Sequence, residues 1–144
     1  MPAHTLPEVL GGEAVLGRAV VSGGAMADLV REGLPAESLS QLARRLDLRQ
    51  AEISAKIGIP QRTLTRRLAR HGRLTATESD RTVRLAQVYA TAVDTLGSEA
   101  KAVQWLKTPN RALRGSRPLD QLDTDPGVRE VEDVLGRIAY GVYS

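Results

Sequence analysis

Residues 50 to 69 read "QAEISAKIGIPQRTLTRRLA", and the fold turns on them. Ile53 and Ile57 stand one helical turn apart, so both can face a core. Ser54 is small where two crossing helices must approach closely. Gly58 supplies the permissive backbone of a tight turn, Ile59 can tuck beneath it, and Pro60 suits the first turn of a second helix. Leu64 and Leu68 are four residues apart and anchor that second helix. A helix, a glycine turn and another helix at this spacing form a helix-turn-helix pattern.

The other side of the second helix carries the chemistry. At 100° per residue, Arg62, Arg66 and Arg70 lie roughly 140–160° from the leucines of the same turn. Five arginines and no acid occur between Arg62 and Arg73. An apolar side fixed to the body and an arginine-rich side left free suit a recognition helix in a major groove. Gln61, Arg62 and Thr63 near its start are candidates to reach base edges, with Thr65 beside them. Arg66, Arg67 and Arg70 are candidates for bases or phosphates. The plainer alternative is a solvated basic helix. Charge distribution decides against it. Residues 1–33 hold two basic and four acidic groups, residues 34–97 eleven against six, and residues 98–144 seven of each. The net charge of +3 therefore hides a positive excess confined to the middle segment, where a polyanion would bind.

Composition excludes several classes. A chain of 144 residues with 42% hydrophobic and 26% charged residues suits a globular fold of one domain or two small ones. No apolar run approaches the ~18 residues that span a bilayer, so no membrane partner is expected. The start, "MPAHTLPEVLGGEAVLGRAVV", lacks a basic region followed by a continuous apolar stretch, and no secretory leader is expected. Zero cysteines rules out disulfides and thiolate metal sites and fits a cytoplasmic setting. His4 and His71 are the only histidines, so neither a metal nor a cofactor is expected.

Working outward, every periodic segment is helical, and the fold class expected is all-α. Residues 1–24 contain five glycines and read as weakly ordered in part. "AMADLVRE" is a short helix stopped by Gly33 and Pro35, and Glu37 or Ser38 opens the next helix, with Leu39, Leu42, Ala43 and Leu46 at helical spacing. Thr75-x-x-Glu78 forms a capping box for a long helix to Leu96. Gly97 closes it, and Ser98 caps "EAKAVQWLK". Thr108 precedes Pro109 and leaves the α region. Asp125 at the N-cap with Pro126 next starts a last helix striped by Val128, Val131, Leu135, Ile138 and Val142. The division expected is a variable, partly ordered segment 1–33, a helix-turn-helix domain 34–97 and a C-terminal domain 98–144.

The C-terminal domain holds "WLKTPNRALRGSRPLD", residues 105–120, with the only tryptophan of a chain without phenylalanine. Two prolines, an asparagine placed to cap a single turn and a glycine make it a rigid loop. Arg111, Arg114 and Arg117 form a basic rim on it, and Tyr140 and Tyr143 stand near the chain end. Three of the four aromatics thus fall in the last 40 residues, where Trp, Tyr and Arg suit an interface. The plainer alternatives are a core tryptophan and solvated arginines.

From about Gly33 to Ser144 the chain resembles the Xre-type antitoxins that carry an Xre/MbcA/ParS-like toxin-binding domain. The resemblance rests on the order of the segments and on W-L-x-x-P-N-x-A-L-x-G-x-x-P-L-D followed by a helix ending R-I-x-Y-G. It implies an all-α cytoplasmic antitoxin, not an enzyme, that forms a homodimer, binds operator DNA to autoregulate its operon and neutralises a protein toxin. In the commonest pairing that toxin is a RES-domain enzyme that consumes NAD. The resemblance carries over Trp105, Pro109, Asn110, Leu113, Gly115, Pro118 and Leu119 as the motif scaffold, with Arg137, Tyr140 and Gly141. Arg111, Arg114, Arg117, Tyr143 and Ser144 complete the expected toxin contact. The competing reading is a helix-turn-helix repressor with a non-toxin partner or ligand. An enzyme has little support: Asp120, Asp123 and Asp125 cluster near helix starts, where carboxylates cap and solubilise.

Overall fold

The computed structural model describes residues 5–141. Among these residues it is all-α, with two isolated antiparallel bridges, Pro35 with Arg73 and Asn110 with Ser116. The helices are α1 (Leu6–Val9), α2 (Gly12–Leu16), α3 (Gly23–Glu32), α4 (Ala36–Arg45), α5 (Gln50–Ile57), α6 (Gln61–Ala69), α7 (Ala76–Leu96), α8 (Glu99–Leu106) and α9 (Asp125–Ala139). Two 3₁₀ turns, η1 (Arg111–Leu113) and η2 (Pro118–Gln121), lie between α8 and α9. No described helix is long and apolar enough to cross a membrane.

The long helix α7 is the axis. Its start is the expected capping box: the Glu78 amide donates to Thr75 Oγ1 (3.2 Å), and the Thr75 amide donates to Glu78 Oε1 (2.8 Å). Its apolar residues are buried on more than one side, because α1, α3, α8 and α9 all pack against it. Tyr89 is fully buried with its hydroxyl donating to Glu99 Oε1 (3.0 Å), and Arg45 reaches the same oxygen (3.1 Å). Burial first, and then the Glu99 carboxylate, push the Tyr89 pKa up to about 12. One polar cluster therefore ties α4, α7 and α8 together.

Several sequence expectations shift. The first helices, α1 and α2, place Val9, Leu10 and Leu16 in the core. They have four and five residues, too few to show a helical period. The helix α3 starts at Gly23, before "AMADLVRE", because Ser22 Oγ accepts from the Ala25 amide (3.1 Å). Neither Glu37 nor Ser38 caps α4; the N-cap is Pro35, and the Ala36 amide bonds to the Gly72 carbonyl (2.9 Å). Ser38 is fully buried, with a hydroxyl that has no hydrogen-bond partner among the described residues. The cap of α9 is Thr124, whose hydroxyl accepts from the Gly127 amide (3.1 Å); Asp125 lies inside the first turn and pairs with Arg84. Its buried stripe is Val128, Val131, Val134 and Leu135, with Ile138 half-buried. Val142 and His4 lie outside the described residues.

Candidate functional site

The turn between α5 and α6 forms as its residues require. Gly58 sits at φ +85°, and an added Cβ would meet Arg81 Nη1 at 2.9 Å, so only glycine fits without displacement. Arg81 Nη1 meanwhile donates to the Ile57 carbonyl (3.0 Å), one of the orphan acceptors at the end of α5. Ile59 is buried beneath the turn, and Pro60 is the N-cap of α6, one residue before the first helical position. Leu64 is fully buried and Leu68 half-buried, which fixes one side of α6 to the body.

On the opposite side, Gln61, Arg62, Thr65, Arg66 and Ala69 line one shallow concavity. Arg62, Arg66 and Arg70 are exposed and have no acidic partner among the described residues. Most other basic side chains are neutralised from within: Arg18 by Glu32, Arg31 by Asp28, Arg44 by Glu37, Arg45 by Glu99 and Arg49 by Glu52. The outer side of α6 thus carries these three unpaired arginines, one helical turn apart, on a single face. Two expected contacts are placed differently. Arg67 turns inward, with 24% of its side chain exposed, and pairs with Glu78 of the α7 capping box. Burial raises the Glu78 carboxyl, but the Thr75 amide and the Arg67 guanidinium outweigh it and hold the pKa below the usual value. Thr65 Oγ1 donates to the Gln61 carbonyl (3.0 Å) and accepts from Gln50 Nε2 (2.7 Å), so its hydroxyl proton is committed. Thr63 is half-buried.

The C-terminal motif is a closed knuckle. Asn110 Oδ1 accepts from the Ala112 amide (2.9 Å), the Asn110 amide donates to the Ser116 carbonyl (3.0 Å), and the Gly115 amide returns to the Asn110 carbonyl (2.9 Å). Leu113 is fully buried beneath it, and Pro118 and Leu119 follow into the core. Trp105 is half-buried against that core, and Pro109 is exposed. Gly127 explains how η2 and α9 approach: a Cβ there would stand 1.9 Å from the Gln121 carbonyl oxygen.

The basic rim divides. Arg114 grips Glu130 with both terminal nitrogens (2.6 and 2.8 Å), and Arg117 grips Asp120 through Nε and Nη2 (2.8 and 2.8 Å). Arg111 and Arg137 are exposed and have no acidic partner among the described residues. Tyr140 is 87% exposed at the end of α9, and Gly141 follows at φ +74°. Tyr143 and Ser144 lie outside the described residues.

Sequence reasoning did not find the contacts between the two halves. Lys56 near the end of α5 pairs with Asp120 (3.0 Å), and Lys107 donates to the Asp47 carbonyl (2.5 Å). Partners 60 or more residues apart leave no periodic signal.

Residues 25–87 match the antitoxin Xre-like helix-turn-helix domain, and residues 91–141 match the antitoxin Xre/MbcA/ParS C-terminal toxin-binding domain. The class is an antitoxin that joins a helix-turn-helix unit to a toxin-binding unit. An antitoxin Xre of Yersinia enterocolitica is 36% identical, covering 85% of this chain and 83% of the relative. That of Photorhabdus laumondii is 35% identical over 81% and 79%, and that of Pseudomonas putida 41% over 58% and 52%. The chain belongs to the antitoxin Xre family.

Proposed function

We propose that the chain neutralises a RES-type, NAD-consuming toxin through its C-terminal domain, and binds operator DNA through α6 to autoregulate its operon. The observation that carries the DNA half is the free charge of Arg62, Arg66 and Arg70 on a chain that neutralises most of its other basic groups. A homodimer in the cytoplasm fits this reading, because a two-fold reader engages two half-sites. The division into residues 1–33, 34–97 and 98–144 follows the same functions.

The toxin half rests on what remains unpaired near the chain end. Arg111, Arg137 and Tyr140 are exposed, whereas Arg114 and Arg117 already hold carboxylates. The free pair and the tyrosine would contact the toxin, with the tail at Tyr143 and Ser144 obstructing entry of a dinucleotide. A knuckle already closed by its own hydrogen bonds loses little entropy on binding. The test is a chain ending at Ala139, assayed against a co-expressed RES-domain enzyme. Lost neutralisation with unchanged unfolding and DNA affinity supports the tail as the obstruction, and full neutralisation refutes it.

A further inference from the structure

We propose that the C-terminal motif braces the DNA-reading head, with Asp120 and Lys107 as positioning residues for α5 and hence for α6. The proposal rests on the assignment of α6 as the reading helix. It concerns residues that lie away from the reading surface.

The helix α5 has only eight residues, seated on the core by Ile53 and Ile57, so polar ties at its margins add to what those two side chains fix. The C-terminal domain holds its far end and the corner that precedes it. At the far end, Lys56 Nζ meets Asp120 Oδ1 at 3.0 Å, with 20% of the lysine side chain exposed. Asp120 is itself held by Arg117 at 2.8 Å through each oxygen, so the acceptor is oriented before it meets the lysine. At the near end, Lys107 Nζ donates to the carbonyl of Asp47 (2.5 Å), which stands at φ +53° in the corner between α4 and α5. That bond ties down the corner from which the chain enters α5, whose first turn is closed by the Arg49 amide donating to Glu52 Oε1 (3.2 Å).

Orientation then passes from α5 to α6 by two routes. One is the tight Gly58 turn, and the other is the bond from Gln50 Nε2 to Thr65 Oγ1 (2.7 Å) across the two helices. A tilt of α5 therefore moves Arg62 and Arg66 together. Hydrogen bonds to base edges weaken steeply with distance and angle, so a loosened head loses base contacts while keeping its charge.

That distinction supplies the test. DNA affinity of the full chain is measured over a salt series on the duplex directly upstream of its own reading frame. The variants are Asp120→Asn, Asp120→Glu and Lys107→Met. Asp120→Asn and Lys107→Met should each lower affinity roughly three- to tenfold, the size of a few weakened hydrogen bonds, with the log–log salt slope unchanged. Asp120→Glu, which keeps the charge, should restore most of the affinity. Thermal unfolding of each variant separates a loosened head from an unfolded chain, and Lys107→Met probes the brace without touching Asp120. Unchanged or raised affinity in either variant overturns the proposal, as does a shallower slope in Lys107→Met, which would make that lysine a phosphate contact. An Arg62→Ala, Arg66→Ala chain is measured alongside. If it binds like the parent, the assignment of α6 is at fault; if it fails while Asp120→Asn binds normally, the brace alone is wrong.

Discussion

The outer side of α6 and the rim of the 105–120 knuckle are both rich in arginine, yet they differ in what those arginines already hold. On α6, Arg62, Arg66 and Arg70 have no acidic partner among the described residues. On the knuckle, Arg114 and Arg117 are each bidentate to a carboxylate of their own domain. A bidentate pair satisfies the planar guanidinium fork, so such an arginine offers a partner little until its carboxylate is displaced. Counting arginines therefore overstates the knuckle as a basic surface and understates it as a structural unit.

The largest effect expected is on DNA. Replacing Arg62 and Arg66 together with Ala should lower operator affinity by about 2–6 kcal/mol, if each contact contributes about 1–3. Thermal unfolding should barely change, because neither side chain holds anything in the fold. Electrophoretic shifts with the gene's upstream duplex would check both halves of that statement.

Next is Leu113→Ala, which empties the floor of the knuckle. Loss of a fully buried leucine should cost about 2–5 kcal/mol, read by denaturant unfolding. It should abolish toxin binding although every rim arginine remains. Retained binding would mean that the rim acts without its scaffold.

A smaller effect concerns Arg67 and Glu78. Removing either partner should cost about 1–3 kcal/mol, as for a partly buried charged hydrogen bond. Glu78 has a folded pKa below its usual value of 4.5, so its stabilisation is present above that pH and is lost as pH falls through the lower, folded value. Glu78→Gln should therefore flatten the acid limb of the stability curve below about pH 4.5, measured by unfolding across pH.

The smallest effect separates the rim arginines from one another. Arg114→Ala should leave toxin affinity little changed, whereas Arg111→Ala and Arg137→Ala should each weaken it measurably by calorimetry. The reverse order would show that the carboxylate partners are given up on binding.

Why some of this was legible is a matter of range. The helix-turn-helix announces itself because Ile53, Ile57, Leu64 and Leu68 are periodic and Gly58-Ile59-Pro60 punctuates them, all within one stretch. The capping box at Thr75 is equally local. The α9 cap moved by one residue because both Thr124 and Asp125 are competent caps, and Arg84, distant in sequence, takes the Asp125 carboxylate. Arg67 was not separable from Arg66 by composition. Its partner lies eleven residues on, in the first turn of another helix. The seam between Lys56 and Asp120 spans 64 residues and depends on tertiary packing alone.

Those adjacent residues give the most direct test of the account. Arg66 and Arg67 are neighbours of the same type and charge, one free and one pinned to Glu78. DNA affinity should be titrated against salt for Arg66→Ala and Arg67→Ala. The account predicts a log–log slope shallower by about 0.9 for Arg66→Ala if it meets a phosphate, and a parental slope for Arg67→Ala. Equal changes of slope in the two variants, or a change in Arg67→Ala alone, would contradict it.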